Sequence, residues 1–152
     1  MLTSCLAAGL LVAVLAAQGL SVVTAASRKL LPVYSVETAE KKAAITFDAA
    51  WGNEDTQQLI DILGKYQAKA TFFIVGEWVD KYPESVKALH DAGHSIQNHS
   101  NTHKHYPKLS RDEIIKDLNA CNDKIEKVTG VRPTLVRPPY GDYDNAVIEA
   151  VN

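Results

Sequence analysis

Residues 45–52 read ITFDAAWG, an apolar run that ends in one carboxylate and continues into small residues and a tryptophan. The apolar residues 43–47 (AAITF) predict a short buried strand. Asp48 follows this strand directly, and Ala49 and Ala50 leave open space around its carboxylate. The pattern therefore indicates a single acidic group at the end of a buried strand. The small residues after it let the backbone lie close to the site that the acid would serve.

Strand-like and helix-like segments alternate along the rest of the chain. Further strands are predicted at residues 70–75 (ATFFIV), 94–98 (HSIQN) and 134–137 (TLVR). Helices are predicted from Asn53 or Asp55 to Tyr66 and over residues 83–92, 110–128 and 144–151. A capping box of Ser110 with Glu113 opens the third helix, and Gly130 ends it. Four successive strand–helix units predict an α/β fold with a parallel sheet, because parallel neighbours need crossover helices.

Polar side chains follow three of these predicted strands. Asp48 comes after the first strand, His99 and His103 come after the third, and Arg137 ends the fourth. In parallel α/β folds, ligands and catalytic groups collect at the carboxyl ends of the strands. We therefore expect these four side chains to meet at one rim of the sheet.

The segment HSNTH, residues 99–103, has the spacing of a metal-binding pair. Histidines four residues apart lie on one side of a helical turn and can share a metal ion, although such a pair also arises by chance. The neighbouring His94 and His105 are interpreted as a hydrogen-bonding residue at a strand start and as a solvated loop side chain. The pair becomes informative only together with the other polar groups of the rim.

The segment RPPYG, residues 137–141, is stiffened by two consecutive prolines. Arg137 can bind a carboxylate through two N–H groups, and Tyr140 brings a backbone N–H, an aromatic ring and a hydroxyl. By itself the segment is equally compatible with a rigid turn that carries a solvated arginine. Combined with Asp48 and the histidine pair, it completes the groups needed for metal-assisted hydrolysis: a metal, a base, an arginine that aims the base, and an oxyanion donor.

The segments TFDAAWG, GHSIQNHSNTH and RPPYG, in this order, resemble the NodB-homology polysaccharide deacetylases of carbohydrate esterase family four, as does KATFFIVGEW. The resemblance covers residues 42–152 and implies a distorted (β/α) barrel that hydrolyses N-acetyl groups of peptidoglycan, chitin or related glycans. It implies that Asp48 is the base, that Arg137 orients it, and that Tyr140 supplies an oxyanion N–H. His99 and His103 would bind a divalent metal, with zinc or cobalt expected, and the substrate would contact Trp51, Pro139 and Tyr140.

The chain departs from the family pattern at two places. The family's first motif usually has a second aspartate that binds the metal, and Ala49 stands there, as in a sporulation-type and clostridial subgroup that the sequence also resembles. This change removes an anionic ligand and weakens the expected metal site. No Leu-x-His sequence, the family's general-acid motif, follows Arg137. We therefore expect an N-terminal part of the barrel, with about four strand–helix units, that is weakly active or inactive.

The first 27 residues predict a segment separate from the domain. Residues 2–26 contain no charged side chain and are long enough to span a bilayer as a helix, so we expect a signal peptide or a membrane anchor. Residues 28–42 are interpreted as a linker and residues 43–152 as the partial deacetylase domain. These features predict a monomeric, extracytoplasmic protein, secreted or anchored at the bacterial cell surface.

Composition limits the remaining functional classes. The formal net charge of −2 and the lack of a long basic run give no indication of nucleic-acid binding. Of the two cysteines, Cys5 lies in the apolar leader and Cys121 in a predicted helix, so no disulfide framework is expected. Two alternatives to an enzyme stay open: a carbohydrate-binding pseudoenzyme of the cell envelope, and a metal-binding structural protein.

Overall fold

The computed structural model describes residues 28–152, and the predicted leader at residues 1–27 lies outside them. Residues 28–44 contain neither helix nor strand. The strands and helices that follow, in chain order, are β1 (Ile45–Ala49), α1 (Thr56–Lys65), β2 (Ala70–Ile74), α2 (Gly76–Lys81), α3 (Pro83–Asp91), β3 (Ser95–Asn98), α4 (Arg111–Thr129) and α5 (Asn145–Val151). Short 3₁₀ turns occur at Tyr106–Lys108 and Pro139–Gly141. Among the described residues, no helix has the length and apolarity needed to cross a membrane.

The three strands form one parallel sheet in the order β1-β2-β3. Asp48 pairs with Phe73, and Ile74 pairs with Asn98, so the carboxyl ends of the strands lie side by side. The α/β class with a parallel sheet, predicted from the alternation of segments, is confirmed.

The core lies between the sheet and the helices that cross over it. β2 is the central strand, and Phe72, Ile74 and Val75 are almost completely buried. Buried residues of α3 and α4, including Val86, Leu89 and Ile125, belong to the same apolar cluster. Burial of each such side chain stabilises the fold by roughly 1.5–3 kcal/mol relative to exposure. This cluster therefore holds the strands in place.

Helix α4 begins and ends at the predicted signals. The Ser110 hydroxyl accepts a hydrogen bond from the Glu113 backbone N–H, and the Glu113 carboxylate accepts one from the Ser110 N–H at 2.8 Å. At the other end, Gly130 adopts a left-handed conformation with φ of 74°. The capping box and the glycine stop are therefore confirmed, and they fix a helix of 19 residues across the strand ends.

The predicted strand at residues 134–137 is largely wrong. The segment makes a single parallel bridge, between Val136 and Asn98. Pro133 and Pro138 flank it, and proline cannot donate to a strand ladder. The N–H groups of Thr134 and Leu135 instead donate to the Gln97 side-chain oxygen, at 3.0 and 2.8 Å. The segment still runs beside β3, so Arg137 reaches the rim as expected.

Helix α2 was not anticipated from the sequence. Its first two N–H groups, from Gly76 and Glu77, donate to the carbonyls of Ser100 and Asn101, both at 3.0 Å. The start of α2 therefore holds the backbone that connects His99 to His103.

Acidification is expected to destabilise the fold through His94. This side chain is 5% exposed, its Nδ1 accepts from the Ala70 N–H, and its Nε2 has no partner among the described residues. Burial, followed by the nearby charge of Lys69, lowers the pKa of His94 below its ordinary value of 6.5. The unfolded chain then binds a proton that the folded chain does not, so stability is complete above pH 6.5 and falls as pH drops below it.

The size of this effect is bounded at about 1.4 kcal/mol per pH unit for one group. Urea unfolding at pH 7.5 and at pH 5.5 measures it, and His94→Gln should flatten the difference. The test is the comparison between parent and variant, because it isolates the contribution of His94. An identical pH dependence in both proteins would show that His94 does not carry the effect.

Candidate active site

An ion pair between Asp48 and Arg137 joins β1 to the segment at residues 134–137. Arg137 Nη1 donates to Asp48 Oδ1 at 2.6 Å, and Nη2 donates to the Thr46 hydroxyl at 2.9 Å. The Arg137 guanidinium also lies over the Phe73 ring, 4.1 Å from its centroid. These three contacts fix the arginine from β1 and β2 together, so the Asp48 carboxylate is held in one orientation while 41% of its side chain stays exposed.

His99 is oriented by the backbone of the same arginine. Its Nδ1 lies 2.7 Å from the Arg137 carbonyl oxygen. A carbonyl can only accept, so Nδ1 carries the proton and Nε2 keeps its lone pair. Buried histidines held in this way are typical metal ligands, because the hydrogen bond to Nδ1 selects the tautomer that binds through Nε2.

His103 lies beside His99, with 5.1 Å between the two ring centroids. Burial, and after it the neighbouring His99, lowers the pKa of His103 and favours the neutral ring. The backbone between the two histidines is strained, since Ser100 and His103 have φ of 71° and 54°. The pair therefore does not lie on a regular helical turn, as the spacing alone suggested, but in a loop held in left-handed conformations.

Tyr140 closes the rim on the other side of His103. Its ring centroid lies 4.7 Å from that of His103, its backbone has φ of 62°, and its side chain is exposed. Trp51 is 81% exposed and meets the His103 ring edge-on at 5.2 Å. Trp51 and Tyr140 thus offer aromatic surface next to the histidines. Pro139 is fully buried, which argues against its predicted contact with substrate.

His105 is not the solvated loop residue that the sequence suggested. Its ring stacks on Tyr140 with 3.9 Å between centroids and 7° between planes, and its Nδ1 contacts the Asp142 carboxylate. This arrangement holds the Tyr140 ring between two histidines. The sequence contained no signal for it, because the contact depends on the left-handed turn at Tyr140.

The rim carries two side chains that could bind a metal ion. His99 and His103 provide two imidazole donors, and the orientation of His99 fits a role as a ligand. Catalytic zinc usually takes three protein ligands, and the adjacent position that could add a carboxylate is Ala49. Within residues 28–152, no group of three or more histidine, cysteine or acidic side chains has the spacing to hold a metal ion. The donor set therefore fits a weak, two-nitrogen site.

The comparisons with known proteins agree with the fold. The chain matches the Polysaccharide deacetylase family over residues 35–152 and belongs to that family. It is similar to the peptidoglycan-N-acetylmuramic acid deacetylase PdaC of Bacillus subtilis, with 43% identity over 111 residues, which are 73% of this chain and 24% of the relative. The chain spans between 24% and 44% of the length of the curated relatives it matches.

Solved structures of the family match at TM-scores near 0.7. One is a carbohydrate esterase family four pseudoenzyme from Bacillus anthracis, with a TM-score of 0.68, 36% identity, and coverage of 70% of this chain and 38% of that one. A mutant of it is described as having restored enzymatic activity. Another is an acetyl xylan esterase from Clostridium thermocellum in complex with a cobalt ion, with a TM-score of 0.66, 33% identity, and coverage of 70% and 53%.

Proposed function

We propose that this chain carries part of the catalytic site of a hydrolase that removes N-acetyl groups from a cell-wall glycan. The observation that supports this most is the Asp48–Arg137 ion pair beside two oriented histidines. A carboxylate held at 2.6 Å by an arginine, yet 41% exposed, can accept a proton from a water molecule at the rim.

In the proposed reaction, the oxygen of a water molecule forms a bond to the amide carbonyl carbon of the N-acetyl group. Asp48 takes the proton that this water loses, and Arg137 keeps the carboxylate aimed at it. The Tyr140 backbone N–H donates to the developing oxyanion. The carbon–nitrogen bond then breaks, the amine nitrogen takes the proton that Asp48 holds, and acetate and the free amino sugar are released.

We also propose that a divalent metal ion, zinc or cobalt, binds between His99 and His103. When bound, it would act as a Lewis acid toward the acetamide carbonyl. The hydrogen bond from His99 Nδ1 to the Arg137 carbonyl selects the tautomer that can bind through Nε2, and the lowered pKa of His103 favours the neutral ring that metal binding requires. Because Ala49 supplies no carboxylate, the affinity of this site is expected to be weaker than that of a three-ligand site.

Replacing Ala49 with aspartate is expected to tighten zinc binding by at least about ten-fold, the size that even outer-shell changes reach. Ala49 ends β1 next to Asp48, at the position where the family's first motif usually carries a metal-binding aspartate, so we expect a carboxylate there to add an anionic oxygen to the two histidines. Titration calorimetry with zinc chloride measures the affinity. Ala49→Asn is the matched control, because it has the same shape without the charge. Equal zinc affinity in the parent chain and in Ala49→Asp would contradict a zinc site whose protein ligands are the two histidine nitrogens alone.

The proposed substrate is a polymer of N-acetylglucosamine or N-acetylmuramic acid, as in peptidoglycan or chitin. Support comes from the exposed aromatic surface of Trp51 and Tyr140, since sugar rings pack their apolar faces against such side chains. Similarity to PdaC favours peptidoglycan. We further propose a monomer at the outer face of the bacterial membrane, secreted or held by residues 1–27, with no nucleic-acid partner.

A second candidate function is glycan binding without turnover. Ala49 favours it, since the proposed metal site lacks a carboxylate ligand. The similarity to a family member described as a pseudoenzyme supports the same alternative. In that case the aromatic surface and the rim would bind the glycan, and the Asp48–Arg137 pair would have no catalytic role.

Acetate release and glycan binding, measured together, separate the two candidates. The full chain is incubated with peptidoglycan and with N-acetylglucosamine oligomers, with and without added zinc or cobalt. Release above the protein-free blank that increases with metal supports the deacetylase. Retention on insoluble peptidoglycan without any release supports the binding protein. Neither retention nor release would contradict both proposals.

A further inference from the structure

We propose that Asp117, on helix α4, is a positioning residue that fixes the loop carrying His99 and His103. The inference rests on the proposed function only in treating these two histidines as site residues. The role itself is a matter of geometry, and it can be tested in the metal-free chain without any measurement of turnover.

The Asp117 carboxylate accepts hydrogen bonds from three groups of the histidine loop. The Asn101 backbone N–H donates to Oδ1 at 2.7 Å, the Thr102 hydroxyl donates to Oδ2 at 3.0 Å, and the Tyr106 hydroxyl donates to Oδ1 at 2.9 Å. Two of these residues lie between the histidines, and Tyr106 follows them with its side chain fully buried. One carboxylate therefore holds the loop on both sides of His103.

The loop needs such support because its backbone is strained. Ser100 and His103 both have positive φ, and a residue other than glycine in this region costs roughly 1–2 kcal/mol. Within the loop, the Ser100 N–H donates to the Asn98 side chain and the His103 N–H donates to the Ser100 hydroxyl. These local bonds fix each turn. The loop is tied to α2 by the Glu77 N–H, which donates to the Asn101 carbonyl, and to α4 by the three hydrogen bonds to Asp117.

Helix α4 is suited to this task because it is long and firmly packed. One face of it buries Ile114, Cys121 and Ile125, and Asn122 on the same side accepts a hydrogen bond from Asn98 at 2.7 Å. Asp117 and Asn122 thus bind the histidine loop and the end of β3 from one rigid element. These hydrogen bonds attach the residues next to both histidines to the helix.

The position of Asp117 is not explained by an ion pair with a basic side chain. None of the ion pairs found among residues 28–152 includes it. A half-buried carboxylate without a cation is stabilised here by three neutral donors, all from the loop. Its interactions are therefore directed at the loop rather than at the surface of the helix.

The test is nitrogen-15 NMR of the histidine side chains in the metal-free chain, combined with zinc titration. In Asp117→Ala, we expect the imidazole resonances of His99 and His103 to shift and broaden. Zinc affinity should fall about 10–100-fold, the usual loss for a residue that orients metal ligands. Asp123→Ala, on the same helix and away from the loop, is the control and should leave both readouts unchanged.

The conservative variant Asp117→Asn should restore most of the parent spectrum. Its oxygen can still accept from Asn101 and Tyr106, and its NH₂ group can donate to the Thr102 hydroxyl, which rotates to accept.

Tyr106→Phe removes one of the three bonds while keeping the ring, and should give an intermediate perturbation of the His103 imidazole resonances. If parent-like imidazole resonances persist in Tyr106→Phe and in folded Asp117→Ala, the positioning role is wrong. If the resonances shift but no acetate is ever released, the proposed hydrolase is wrong and the positioning role stands.

Discussion

Replacing Asp48 with asparagine is expected to lower acetate release by about 10²–10⁴-fold, the usual contribution of a general base. The amide cannot take a proton from water, although it has nearly the same shape as the carboxylate. The measurement compares acetate release from peptidoglycan by the parent chain and by the variant, with zinc or cobalt added. Because the two-nitrogen site binds metal weakly, the same pair is also compared in the Ala49→Asp background.

The loss should come from chemistry and not from unfolding. The Asp48–Arg137 pair is partly exposed, with 41% and 35% of the side chains accessible, and ion pairs of this kind contribute about 0–1 kcal/mol to stability. Asp61→Asn, an exposed carboxylate on α1, is the matched control and should keep parent activity. If Asp48→Asn releases acetate within a few-fold of the parent, the base lies elsewhere.

Replacing Gly76 with alanine is expected to destabilise the fold by roughly 1–3 kcal/mol, the range for overpacked sites. A Cβ at this position would lie 2.3 Å from Asn101 Oδ1 and 3.1 Å from the Asn101 Cα. The side chain could rotate away, but the backbone contact remains. Since Gly76 also donates to the Ser100 carbonyl at 3.0 Å, relief of the clash would displace the loop between His99 and His103.

Thermal unfolding measures this effect, and the midpoint should fall by roughly 3–12 °C. Gly64→Ala is the control, because a Cβ at Gly64 meets no atom within 4 Å. In the interior of α1, that change should be neutral or stabilise the chain by up to about 1 kcal/mol. Equal midpoints for the two variants would mean that the approach of α2 to the histidine loop is not tight.

The positions of Asp48, His99 and Arg137 could be predicted because they depend on chain order. Asp48 lies one residue before the end of β1, His99 follows β3, and Arg137 ends a segment that runs beside β3. Parallel segments bring their carboxyl ends to one edge. The boundaries of α4 could be predicted for a local reason, since Ser110, Glu113 and Gly130 act within one turn of the helix ends. Both kinds of signal are visible in a linear sequence.

Other features depend on contacts between distant residues and could not be predicted. The segment at residues 134–137 forms one bridge instead of a strand because the Gln97 side chain takes two of its N–H groups. His105 reaches Asp142 across 37 residues, and Asp117 reaches residues 101, 102 and 106 from the middle of a helix. In each case a polar side chain makes the contact, and no periodic pattern in the sequence marks it.

The distance along the chain between Asp48 and Arg137 sets the order in which the rim is completed during synthesis. The two residues are 89 positions apart. Ribosomes add about 5–20 residues per second, so roughly 4–18 s separate the appearance of the two side chains. β1, β2 and β3 and the helices that link them are all synthesised within that interval. The carboxylate therefore meets its guanidinium partner only after β1, β2 and β3 have all been made.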